Sequence, residues 1–150
     1  IIMFGQSMGG ALAITYSHIY KDMPPHKQAF SALVTESSPA SWPQVARDAM
    51  RQHWLTWLLQ APASLMPGSY DPESHIPFLD GLPIMLMHSK QDPVVGYQHF
   101  EQLVAASNEL KPKVKTYVTN GGHTQGLAYP HARETFVRFV ENQIKQTEQK

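Results

Sequence analysis

Serine, aspartate and histidine side chains together can move an acyl group from one oxygen to another, and this chain carries one of each just past a short apolar run. The serine is Ser7, in the pentapeptide Gly5-Gln6-Ser7-Met8-Gly9. The apolar run Ile1–Phe4 precedes it and a helix-forming segment follows. A strand-to-helix turn of this G-x-S-x-G type is sharp enough to lift its serine above the sheet as a nucleophile. Gly5 and Gly9 are expected to be glycine because side chains two before and two after the serine would strike neighbouring backbone. The Met8 N–H, at the start of the helix, is expected to face a developing oxyanion with the helix dipole behind it.

A serine hydroxyl is a weak nucleophile until a base takes its proton, and the base needs an acid to orient it. In a parallel sheet those partners come from loops at the C-terminal ends of other strands. Asp92 follows the apolar run in "LPIMLMHSKQD", whereas Asp80 precedes the same run and belongs to the opposite edge. Asp22, Asp48 and Asp71 follow no strand. Of eight histidines, His123 alone follows the last strand-like segment, in "TYVTNGGHTQGL", where Gly121 and Gly122 allow the loop to turn back over the sheet. His88 is expected to pack or hydrogen-bond beneath the acid loop. No ligand spacing supports a metal at His88, Asp92 and His123, so neither metal nor cofactor is expected.

The elements that must position these residues alternate. Strands are expected at Ile1–Phe4 (buried on both faces), "FSALVTES", "LPIMLMHS" and "KVKTYVT". Helices are expected over Gly9–Tyr20, Ser41–Gln60, Tyr97–Leu110 and from Pro130 onward. Ser41 and Gln44 have the spacing of a capping box. Ala132, Phe136, Val140 and Ile144 suggest an apolar stripe on the last helix. "APASLMPGSYDPES" reads as loop. The order implies an α/β fold, a mostly parallel sheet with helices on both faces.

The 150 residues are 42% apolar and carry 12 basic against 12 acidic side chains, consistent with one soluble domain. Zero net charge gives no reason to expect nucleic acid or an anionic membrane as partner. The absence of cysteine excludes disulfides and thiolate chemistry and fits several compartments, with cytoplasm slightly favoured. No stretch approaches the ~20 apolar residues of a transmembrane helix.

The order Ser7, Asp92, His123 is that of the α/β-hydrolase fold. The chain resembles the C-terminal half of such an enzyme, in the bacterial branch called lysophospholipase-like or serine-aminopeptidase-like. "GQSMGG", "PIMLMHSKQDPVV", "NGGHTQGL" and "YPHARETFVRFVENQI" carry the resemblance. It implies Ser7 as nucleophile, Met8 as oxyanion donor, Asp92 as acid and His123 as base. Ser89 departs from the glycine usual after the histidine and is expected to stiffen the acid loop. The strands that precede the elbow in relatives are not in the sequence, and with them the second oxyanion donor. Residues 1–150 are thus expected to be the C-terminal portion of one domain. Their activity alone should be lower by on the order of 10²–10³-fold, with an exposed apolar edge at Ile1–Phe4.

The insert at about 38–80 is expected to cap the site, with Trp42, Trp54 and Trp57 lining an apolar pocket for an acyl or aromatic ester. The expected function is therefore a serine esterase acting on a small-molecule ester through an acyl-enzyme. An aminopeptidase or amidase of the same fold is the alternative; it would need an acidic group for the substrate amine, for which Glu36 and Glu73 are available. A non-catalytic binding module is the third reading. Composition and motifs leave the oligomeric state open.

Overall fold

Four apolar segments pair side by side into one parallel sheet, in a computed structural model that describes residues 1–21, 31–51 and 68–148. The strands are β1 (Ile2–Gln6), β2 (Ala32–Glu36), β3 (Ile84–Ser89) and β4 (Lys115–Thr119), and they lie in chain order. Helices α1 (Met8–Ile19), α2 (Trp42–Arg51), α3 (Pro72–His75), α4 (Tyr97–Ala106) and α5 (Pro130–Glu148) connect and cover them.

Side chains of β2 and β3 alternate between two apolar layers, as the two-residue period of a strand requires. Leu33, Ile84 and Leu86 join Ile14 of α1 and Phe100 and Leu103 of α4 on one face. Ala32, Val34, Met85 and Met87 join Ala132 and Phe139 of α5 on the other. Each fully buried Leu, Ile or Met stabilises by about 1.5–3 kcal/mol, so the two central strands anchor the sheet. Helices therefore lie on both faces.

Three details differ from the expectations. Strand β1 is not buried on both faces; it is the exposed apolar edge also expected at Ile1–Phe4, with Phe4 40% exposed and no strand beyond β1 among the described residues. The capping box does not close at the start of α2. Asp71 Oδ1 takes the Trp42 N–H at 2.8 Å, and the Gln44 side chain accepts from Gln102 of α4 instead. On α5 the buried positions run Ala132, Phe139 and Gln143, while Ile144 is exposed. A strict four-residue spacing advances about 40° beyond each helical turn, so the expected stripe drifts off the core face.

The segment read as loop before β3 holds a 3₁₀ turn at Gly68–Tyr70 and the short helix α3, with Pro72 at its start. The second half of the expected helix 41–60 lies outside the described residues. No helix among the described residues is long and apolar enough to cross a membrane.

Candidate active site

All three non-glycine residues with positive φ among the described residues sit at the C-terminal edge of the sheet: Ser7 (52°), Ser37 (53°) and Thr124 (55°). Such conformations cost of order 1–3 kcal/mol each and persist only where surrounding structure enforces them. Ser7 joins β1 to α1 at φ 52°, ψ −129°, and its side chain makes no capping hydrogen bond. Its carbonyl takes the Gly10 and Ala11 N–H groups, and its own N–H donates to the Glu36 carbonyl at 2.8 Å. Met8 opens α1, where a backbone N–H has no partner within the helix.

The glycines of the turn divide differently from the expectation. A Cβ on Gly5 would lie 2.6 Å from both the Gly10 Cα and the Gly9 carbonyl oxygen, so the side chain must be absent there. A Cβ on Gly9 would meet open space. Gly10 is the second tight position, because a Cβ there would collide with Ser38 Oγ and come 2.9 Å from the Gly5 carbonyl. The helix packs down on the strand through Gly10, while Gly9 faces outward.

Asp92 follows β3, and its side chain is wholly shielded from solvent. Its Oδ1 accepts the N–H groups of Val94 (2.9 Å) and Val95 (3.0 Å), folding the acid loop around the carboxylate. His123 Nδ1 lies 2.9 Å from Oδ2 and 3.1 Å from Oδ1. Burial acts to raise the Asp92 carboxyl, but hydrogen bonds from His123, the Val95 and Val94 amides and Ser37 outweigh it and hold it below its ordinary value. Acid and imidazole are thus brought together from loops 31 residues apart.

His88 does what the sequence suggests. Its Nε2 is 2.8 Å from the Val95 carbonyl, and its ring packs against Tyr97 and Phe100. Burial pushes it below the usual histidine value, despite the upward pull of that hydrogen bond and of Asp92. The neutral ring supports the acid loop from beneath. Asp80, at the opposite edge of the sheet, takes the Lys111 N–H.

The histidine loop is pinned at several points. Ser89 Oγ donates to the Gly121 carbonyl and accepts the Gln91 N–H, so it ties the acid loop to the histidine loop. Thr124 N–H lies 3.4 Å from Ser37 Oγ. Gln6, the residue before Ser7, reaches the Thr124 carbonyl at 3.4 Å, which brings the serine turn and the histidine loop to one place. Among the described residues no hydrogen bond joins Ser7 Oγ to the His123 ring.

Trp42 donates its indole N–H to the Tyr70 carbonyl, which also receives Thr15 Oγ1, two helical turns beyond Ser7. The Tyr70 carbonyl thus joins Trp42, within the insert, to α1. Trp54 and Trp57 lie outside the described residues. Glu36 is 1% exposed, and its carboxylate is taken up by Gln6 and Gly126. Spacing alone assigns Glu36 no structural part; the signal it carries is a lone acidic residue closing a wholly buried strand. No cluster of three metal-ligating side chains occurs among the described residues.

No protein-family profile matches the chain. It is 27% identical over 145 residues to the uncharacterised protein YfhR of Escherichia coli O157:H7, covering 93% of this chain and 45% of that protein. The corresponding protein of Salmonella typhi is 22% identical over 151 residues, with 96% and 48% covered. The chain spans about half the length of these curated relatives. Among solved structures, the Pyrococcus furiosus esterase Pf2001 superposes with a TM-score of 0.69 at 18% identity, over 95% of this chain and 53% of the esterase. Pyrococcus horikoshii acylaminoacyl peptidase gives 0.68 at 18% identity, over 97% and 24%. The capsule O-acetyltransferase of Neisseria meningitidis serogroup A gives 0.60 at 19% identity, over 92% and 54%.

Proposed function

On the α/β-hydrolase fold that this chain shares with those esterase and peptidase structures, we propose that Ser7, His123 and Asp92 form the triad of a serine hydrolase that cleaves carboxylic esters. The observation that carries this reading is the 2.9 Å contact between His123 Nδ1 and a shielded Asp92 carboxylate, at the same sheet edge as the strained Ser7 turn. With Nδ1–H donated to Asp92, Nε2 holds a free lone pair and can take the Ser7 proton. Ser7 Oγ then attacks the ester carbonyl, and Asp92 stabilises the imidazolium that forms. The Met8 N–H receives part of the oxyanion charge. Protonated His123 returns its proton to the leaving alcohol. The imidazole then activates water, which releases the carboxylic acid and restores Ser7. Hydrogen bonds that are long before substrate arrives commonly tighten in the reacting complex, so Ser7 and His123 need not touch beforehand.

An aminopeptidase reading needs an acidic group free to hold a substrate amine. Glu36 does not offer one, since both its oxygens already accept N–H groups of the protein. Glu73, half-buried on α3, is the acidic group that reading would have to use. Labelling by a fluorophosphonate probe tests the reading: the protein should label, while Ser7→Ala and His123→Ala should not. Labelling that survives Ser7→Ala, or no labelling of the folded protein, would overturn it.

A further inference from the structure

Glu36 closes β2 and is the register partner of Gln6, which closes β1 immediately before Ser7. Its Oε2 accepts from Gln6 Nε2 at 2.7 Å, and its Oε1 accepts the Gly126 N–H at 2.6 Å, three residues beyond His123. Its backbone carbonyl receives the Ser7 N–H. One residue therefore touches the serine turn twice and the histidine loop once.

The approach of the loop is close. A Cβ on Gly126 would stand 2.5 Å from Glu36 Oε1, so only glycine lets the backbone reach the carboxylate. No cation pairs with Glu36 among the described residues. A carboxylate sealed at 1% exposure is expensive to bury, and an apolar residue would complete this strand at lower cost. What the carboxylate adds is two convergent acceptors. They matter because Ser7 and His123 are carried by β1 and β4, with two strands between them. Asp92 holds the imidazole to β3, and the direct contact from Gln6 to the Thr124 carbonyl is long at 3.4 Å, so the Glu36 carboxylate supplies the shorter tie between the serine turn and the histidine loop.

We propose that Glu36 is a positioning residue that fixes the separation of Ser7 from His123 by clamping Gln6 and Gly126 together. The proposal rests on the serine-hydrolase reading. A shift of about 1 Å between reacting groups costs on the order of 10²-fold in rate, so the clamp acts on kcat and leaves KM alone.

The test compares ester kcat and KM, and the rate of Ser7 labelling by fluorophosphonate, in the full chain and its variants. Glu36→Gln keeps an acceptor for Gly126 but turns an amide N–H₂ toward that of Gln6. It should lower kcat and the labelling rate by about 10- to 100-fold, with KM within about twofold. The exchanged pair Gln6→Glu with Glu36→Gln restores a donor opposite an acceptor and should recover part of the rate, since only the longer 3.4 Å contact to the Thr124 carbonyl is then missing. A merely structural carboxylate would lower the melting temperature without that rescue. Gln6→Met removes one donor at an exposed position and should cost several-fold in kcat; it decides the matter alone if Glu36→Gln does not fold. Wild-type rates in both Glu36→Gln and Gln6→Met, or no recovery in the exchanged pair, would overturn the proposal. If the wild type labels no faster than Ser7→Ala, the serine-hydrolase reading fails instead.

Discussion

Ser89 Oγ donates to the Gly121 carbonyl, so the strand that ends in the acid loop holds the first turn of the loop that carries His123. The same oxygen accepts the Gln91 N–H at 3.1 Å. The expectation that Ser89 stiffens the acid loop is therefore met by two hydrogen bonds, one of which crosses to the other loop. Ser89→Ala should cost about 0.5–1.5 kcal/mol in urea unfolding, and kcat should fall several-fold at constant KM. Unchanged kcat would mean that Asp92 alone orients the imidazole.

Asp92→Asn separates orientation from loop folding. The Asn Oδ1 can still accept the Val94 and Val95 N–H groups that Asp92 Oδ1 accepts now. The amide N–H₂ would then face His123 Nδ1 and favour the opposite tautomer, with Nε2 protonated. Ester kcat is expected to drop by about 10⁴-fold while the fold persists. Circular dichroism alongside steady-state kinetics checks both halves of that statement.

The three glycines of the turn should respond in order of their surroundings. Gly5→Ala forces a methyl group against the Gly10 backbone and is expected to destabilise by about 3 kcal/mol or more. Gly10→Ala meets Ser38 and the Gly5 carbonyl and should also be costly. Gly9→Ala points into open space within α1 and should be neutral or stabilise by up to about 1 kcal/mol. Thermal melts of the three variants give the ranking directly.

Stability should fall in mild acid. Burial pushes both His88 and His99 below the ordinary value of 6.5. His99 is fully buried, and its Nδ1 takes the Ala40 N–H. Where the folded value is the lower one, the unfolded chain takes up protons first as the pH drops. The contribution is complete above 6.5 and shrinks as the pH falls from there toward the folded-state values. Asp92, also lowered, adds a further loss once the pH passes below its ordinary 3.8. The melting temperature should therefore be level near neutrality and decline below about 6.5. His99→Asn, which keeps an acceptor for Ala40, should reduce the slope. A melting temperature constant down to about pH 5 would contradict the assignment.

Period and punctuation made much of this structure legible beforehand. Unbroken apolar runs marked β2 and β3 because both faces of those strands are covered. The rule that functional loops follow strand C-termini separated Asp92 from Asp80 and His123 from the other histidines. What was not legible depends on partners distant in sequence. Spacing alone cannot tell that Asp71, 29 residues away, caps the helix beginning at Trp42. Nor can it tell that Ser38 lies against Gly10, or that the glutamate ending an apolar strand meets Gly126, 90 residues on.

Strand β4 is the edge strand opposite β1 and pairs with β3 alone among the described residues. Most of its side chains are exposed or half-exposed, unlike the sealed β2 and β3. His123 therefore follows one of the two less-buried edge strands, and such a margin can open without the rest of the domain unfolding. The ties from Ser89, Ser37 and Glu36 act as latches on that margin. On the proposed serine-hydrolase reading, fraying of this strand should silence the chemistry while most of the molecule stays folded, so ester turnover should be lost at a lower temperature than the melt followed by circular dichroism.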